Sequence, residues 1–219
     1  SETSGGRSRE LHAKIAAQGI TGLSVPEAQR GVGLGDIDWT LVTEELGYHA
    51  IPDSLVESSY VATALLCNVQ EAGALREQWL PRVADGTAHI SLEHPANPCV
   101  ADAHLADLIL AFRAGKDDAL ELHAVPGTGL QRSTQVSIDA SRRLAILPQK
   151  LAASTRLLTG AGVQAIADAT LDRAALAVAG QLVGLAQRML DVSVDYVAQR
   201  KQFGKPIGSF QAVKHHLAD

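Results

Sequence analysis

Apolar positions along the 219-residue chain keep two different rhythms, and the changes between them divide the sequence. Up to about residue 86 the spacing is helical. Leu11 and Ile15 stand one turn apart in a short predicted helix over 10–18 that Gly19 ends. Leu23, Val25 and Pro26 read as extended, and Gly31, Gly33 and Gly35 as a loop. Asp36 is a good N-cap for a stripe of Ile37, Trp39, Leu41, Val42 and Leu46 that Gly47 terminates. Two more helices are expected over 54–67 and 72–80, the second stopped by Pro81 ahead of an Asp85-Gly86 turn.

From Thr87 the rhythm shortens. Apolar runs over 105–112, 119–124, 135–138 and 143–147, bounded by Gly, Pro and an Asp-Asp pair, predict a small β meander. Beyond Gly160 the helical period returns and holds over 162–199. There Ala174, Ala177, Gly180 and Gly184 form a small-residue stripe that admits a neighbouring helix closely. This helix should end near Gln202, broken by Gly204, Pro206 and Gly208, with another starting beyond Ser209. The expected class is α+β, mainly α: a helical domain over 1–86, a reduced β domain over 87–150, and an incomplete helical domain over 151–219.

Composition narrows the function. A hydrophobic content of 46% supports a real core, and only 4% aromatics favours closely packed helices. A net charge of -5 argues against nucleic acid as a partner. No uninterrupted apolar run approaches the roughly 18 residues of a membrane span. Cys67 and Cys99 show no metal spacing and read as reduced thiols of a cytoplasmic protein, and the polar start reads as a disordered lead or a trimmed boundary. The glycines at 31, 33 and 35 miss the spacing of a dinucleotide fingerprint.

The densest chemistry lies at the corner after the long helix. Arg200, Lys201 and Lys205 crowd together with no acidic residue between them, beside Phe203, Phe210, Gln202 and Gln211. A guanidinium, an aromatic ring and two amides suit a ligand anionic at one end and aromatic at the other, such as FAD, although solvated lysines and a packed Phe are the commoner meaning of such a corner. His215 and His216, adjacent on a helix, point about 100° apart and make a poor metal site. His94 and His104 accompany no nucleophile in a hydrolase context.

The run over 200–219, RKQFGKPIGSFQAVKHHLAD, closely resembles the first C-terminal signature of the acyl-CoA dehydrogenase family. Gly19 to Gly35 resembles that family's N-terminal pattern, with Arg30 in place of a usual glycine. Trp79-Leu80-Pro81 resembles the end of its first domain, and Asp107 precedes a strand like one in its middle domain. The resemblance implies an FAD-dependent oxidation of an acyl-CoA to the trans-2-enoyl-CoA in which a Glu removes the α-proton, with an electron-transfer flavoprotein as acceptor. It implies that Arg200 and Gln211, supported by Gln202 and Phe203, reach across a subunit boundary to the pyrophosphate and adenosine end of FAD.

Departures from the family pattern shape the expectation further. Where the family carries T-E-P-x-A-G-S-D, whose hydroxyl and backbone groups meet the flavin ring and thioester, this chain has Ser91 to Pro98, keeping only a Glu and a Pro. Glu93 there reads as structural. The position of the helix-borne catalytic Glu falls on Ala174, Asp172 lies about 200° round the helix from it, and no Glu follows Glu121. The expectation is therefore a homo- or hetero-oligomeric subunit that completes another's flavin site, as in the heteromeric branch acting on bulky steroid-CoA thioesters. The sequence stops partway through the last domain, ahead of the family's other location for the Glu, so the base is expected from residues beyond those given or from a partner subunit. A non-catalytic scaffold or acyl-CoA-binding subunit is the alternative.

Overall fold

The computed structural model describes residues 8–115, 119–139 and 141–218. The expected N-terminal lead over 1–7 and the Asp-Asp boundary at 117–118 lie outside them. Packing groups the chain into two units, one holding residues up to Trp39 together with Pro52–Leu176, the other Thr40–Ile51 together with the residues from Ala177 onward.

In the first unit α1 (Arg9–Ala17) starts on Ser8, whose Oγ accepts from the Leu11 amide at 3.2 Å, and stops at Gly19 with φ of 77°. The helix expected over 54–67 is two helices of different pitch: a π-helix (Val56–Ala62), then α3 (Thr63–Asn68). Periodicity cannot separate these, because a few residues of wider winding barely move an apolar stripe. The next helix, α4 (Gly73–Ala84), runs past Pro81 instead of stopping there. Proline removes one hydrogen bond, but continuing buries Val83 and Ala84, and Thr21 Oγ1 donates to the Ala84 carbonyl at 2.7 Å.

The strands form two sheets rather than a meander. One has β1 (Ile90–Glu93), β3 (Leu108–Ala114), β4 (Leu120–Pro126) and β7 (Arg156–Thr159) in the order β1-β3-β4-β7, with β1 parallel to β3. The other orders β2 (Cys99–Ala101), β6 (Leu144–Ile146) and β5 (Ser133–Gln135) as β2-β6-β5. Strands β1, β2 and β7 escaped the sequence reading because each is four residues or fewer and carries polar or small residues. The continuous apolar run in β3 has a two-sided explanation. Leu108, Leu110 and Phe112 join the core with Leu65, Leu66 and Leu80, while Ile109 and Ala111 join a second core with Val100, Val125 and Leu147.

In the second unit, α2 (Asp36–Tyr48) contributes its C-terminal half and α5 (Gly162–Gln199) its second half. Asp36 is the first helical residue, and the Gly35 amide is capped by Asp38 at 3.1 Å. Ile37 and Leu41 are exposed, so the predicted stripe is misplaced; the buried positions are Trp39, Thr43 and Gly47, one turn apart. Gly47 lies inside the helix and does not stop it. A Cβ there would sit 2.0 Å from the Gln181 carbonyl oxygen, and one at Gly184 would sit 1.8 Å from that of Glu44. The small-residue stripe thus brings two backbones together, fastened by Tyr48 donating to Asp191 at 2.8 Å. Along α5, Leu182, Val183, Met189 and Val192 remain exposed. Among the described residues no helix is long and apolar enough to cross a membrane.

Candidate functional site

The basic corner is tighter than two helices joined by a break. Helix α5 ends at Gln199, three residues before the expected stop, and a short hairpin follows, β8 (Lys201–Gln202) against β9 (Lys205–Pro206). Phe203 and Gly204 form its turn with φ of 51° and 78°, the left-handed pair that a two-residue hairpin requires. Glycine takes that conformation freely, whereas Phe203 is strained in it. The Ile207 amide donates to the Arg200 carbonyl at 2.8 Å and closes the corner, after which α6 (Gln211–Ala218) begins.

This geometry fixes what the corner presents. Phe203 is 91% exposed, resting edge-on against Phe210 with ring centroids 6.1 Å apart, and Lys205 Nζ lies 4.5 Å from the Phe210 ring centre. Arg200, Gln202 and Gln211 are also exposed. None of Arg200, Lys201 and Lys205 forms an ion pair among the described residues. Three cations without counter-ions beside a ring held in the open suit a ligand carrying both phosphate and an aromatic base. His215 and His216 are exposed on α6.

The other expected contact region, the stretch from Ser91 to Pro98, is occupied by the chain's own side chains. Strand β1 is an edge strand, and the π-helix covers that edge: Ser58 Oγ accepts from the Ile90 amide at 3.0 Å and Glu57 Oε1 from the Leu92 amide at 2.5 Å. Ser91 Oγ donates to the Ala101 carbonyl at 2.8 Å. Glu93, 3% exposed, is ion-paired with Arg113, and burial raises its carboxyl above the usual range while Arg113 pulls it down. His94 Nε2 donates to the Ala167 carbonyl at 3.0 Å and its Nδ1 accepts from the Ala96 amide at 3.1 Å, which fixes the tautomer. The Ile90 and Leu92 amides on the outer edge of β1 are therefore taken by the chain's own side chains, and this edge does not fit a flavin ring that needs those donors.

Glu57 is the group that the sequence reading missed. Burial pushes its carboxyl up to about 8, with the Leu92 amide opposing and Asp102 reinforcing the rise. Nothing in a lone Glu amid apolar residues marks it, since its role comes from a strand thirty-five residues away in sequence. Ala174 is half-buried on α5 and Asp172 is exposed.

Comparison with known proteins supplies the lineage. Residues 2–87 match the family model of the acyl-CoA dehydrogenase N-terminal domain and residues 160–219 that of the C-terminal domain. The acyl-CoA dehydrogenase IpdE2 of Mycobacterium tuberculosis is 31% identical over 202 residues, covering 92% of this chain and 57% of its own length. The chain thus spans little more than half of that relative. Among solved structures, the ChsE4-ChsE5 complex of Mycobacterium tuberculosis superposes with a TM-score of 0.84 at 22% identity, covering all of this chain and 65% of that one. A variant of the steroid ACAD Tcur3481-Tcur3483 superposes with a TM-score of 0.78 at 25% identity, covering 96% of this chain and 63% of that one. Matched at both ends by the family's domains and throughout by its fold, the chain belongs to the acyl-CoA dehydrogenase family.

Proposed function

We propose that this chain is a subunit of a heteromeric acyl-CoA dehydrogenase, one that supplies the basic corner to a flavin whose ring is held by another subunit. The carrying observation is the contrast between two regions. Arg200 and its neighbouring lysines, which form no ion pair among the described residues, surround an exposed Phe203, while the β1 amides are already bonded to Ser58 and Glu57. Arg200 pairs with the pyrophosphate of FAD, Gln211 and Gln202 bond its polar groups, and Phe203 packs on the adenosine end.

When bound, FAD supplies the oxidising power that accepts the β-hydride as a carboxylate takes the α-proton of the thioester. Ala174 has no proton-accepting group and Glu93 is committed to Arg113, so that carboxylate is assigned outside these 219 residues, either to a partner or to a further part of the same polypeptide. The exposed Leu182, Val183 and Met189 on α5 offer an apolar face for association. The steroid ACAD and the two-protein complex among the structural neighbours favour a bulky acyl group and a hetero-oligomer. An electron-transfer flavoprotein is the proposed acceptor.

The test is flavin retention by the protein assembled with a second acyl-CoA dehydrogenase subunit that co-purifies with it. A charge-assisted hydrogen bond contributes about 1.5 to 3 kcal/mol, so Arg200→Ala should weaken FAD binding about 10- to 150-fold, and Gln211→Ala less. Flavin held equally by the Arg200→Ala assembly, or a colourless wild-type assembly, overturns the reading.

A further inference from the structure

A second candidate site lies within the first unit. An open pocket of about 280 Å³ is walled on its apolar side by Pro26, Leu34, Ala64 and Cys67. Its polar side is a hydrogen-bonded cluster of Asp36, Tyr60 and Arg173. Asp36 Oδ1 accepts from Tyr60 Oη at 2.8 Å and from Arg173 Nε at 2.8 Å, and Oδ2 from Arg173 Nη2 at 3.2 Å.

The cluster is braced from behind. The Tyr60 ring stacks on Trp39 with centroids 4.9 Å apart, both rings are 1% exposed, and Trp39 Nε1 donates to Ser24 Oγ at 2.5 Å. Such bracing holds the polar groups in place before any ligand arrives. The Arg173 hydrogen bonds hold the Asp36 carboxyl below its usual range, and burial pushes the Tyr60 hydroxyl up to about 12. Both therefore keep one protonation state at working pH.

The chemistry of the ligand follows from what remains to be bonded. Asp36 and Arg173 cancel in charge, so the site gives a free anion or cation no net attraction. The guanidinium carries five N–H groups, of which Asp36 takes two, so donors remain for an oxygen in the pocket. The volume corresponds to that of about nine waters at roughly 30 Å³ each, or one small bicyclic group. An apolar wall facing a few fixed donors is the usual form of a small-molecule site.

We infer that this pocket binds an uncharged oxygenated alicyclic group through Arg173, with Asp36 and Tyr60 positioning the guanidinium. That the group is the keto- or hydroxyl-bearing end of a bulky acyl chain rests on the proposed function; its binding does not.

The test uses the full 219-residue chain without flavin or partner, titrated by NMR with trans-2-decalone, the matching decahydro-2-naphthol, and decahydronaphthalene-2-carboxylate. The ketone and the alcohol should bind in the millimolar range expected of ligands this small, and the carboxylate at least tenfold more weakly. Arg173→Met should weaken the ketone about tenfold. Ala64→Leu fills the pocket without touching the polar cluster and should abolish binding of all three. The inference is overturned if the ketone and alcohol do not bind wild type, if the carboxylate binds as tightly, if Arg173→Met binds the ketone unchanged, or if Ala64→Leu leaves binding intact. Failure of the flavin test together with success here would remove only the assignment to an acyl chain.

Discussion

Replacing Glu57 by Gln isolates one titration from everything else in the fold. The carboxyl accepts from the Leu92 amide at 2.5 Å, and an amide oxygen of the same shape can accept from it equally. Burial raises the folded carboxyl from 4.5 to about 8. Between these values the folded chain binds a proton that the unfolded chain has released, so stability falls as pH rises through this window and levels off above it. One unit of pH is worth about 1.36 kcal/mol, and the two units from pH 5.5 to 7.5 give at most about 2.7 kcal/mol. For a chain of this length that corresponds to roughly 5 to 11 °C in melting temperature. Residual solvent at the half-buried Glu57 brings the effect below these limits.

The assay is thermal unfolding of wild type and Glu57→Gln in parallel across pH 5 to 9. Groups common to both proteins cancel in the difference. The variant's advantage should grow by about 2 kcal/mol between pH 5.5 and 7.5 and stay constant beyond about 8.5. A difference independent of pH would mean that Glu57 titrates as an ordinary exposed carboxylate. A variant that loses ground as pH rises would mean that the ionised form stabilises the π-helix edge.

Three other substitutions probe different parts of the chain. Gly184→Ala places a methyl group 1.8 Å from the Glu44 carbonyl oxygen, a backbone atom that cannot turn aside, and should lower the urea-unfolding free energy by about 2 kcal/mol or more. Tyr48→Phe removes the hydrogen bond to Asp191 and should cost about 1 kcal/mol in the same assay, with the midpoint shifted and the slope unchanged. Phe203→Gly relieves a left-handed φ of 51° at a 91% exposed side chain, so stability should change by less than about 1 kcal/mol while FAD retention by the assembly falls severalfold.

The parts of the fold legible in the sequence are those whose signal is local and repeated. Helix α5 shows its 3.6-residue period over 38 residues, so its course could be read from the pattern, although the stop expected near Gln202 falls at Gln199. Gly180 and Gly184 read as a stripe for the same reason. What failed depended on distant partners. Gly47 resembles a helix stop until the Gln181 backbone is seen against it, and Pro81 resembles one until the burial of Val83 and Ala84 is counted. The short strands β1 and β2 are defined by their neighbours more than by their residues. In the candidate site the charged corner was visible because its three cations fall within six residues of sequence. The Asp36–Arg173 pair spans 137 residues and leaves no local trace.

The two regions that the family pattern turns toward a flavin differ in the same way. At the corner, Phe203 holds a left-handed backbone and keeps its ring in water; neither stabilises the isolated chain. Its contact within the chain is the edge of Phe210, which leaves most of the ring free, and under the proposed function the cations around it suit an anionic partner. Around β1 the balance is opposite. Ser58 and Glu57 satisfy buried amides that would otherwise lack partners, so they stabilise the chain whether or not a flavin is near. A flavin ring bonding the Leu92 amide would have to displace Glu57 and move its carboxyl. The chain's stability and a ring site on β1 therefore compete, whereas stability and the corner do not, and this difference supports the proposal that the chain reaches a flavin through its corner.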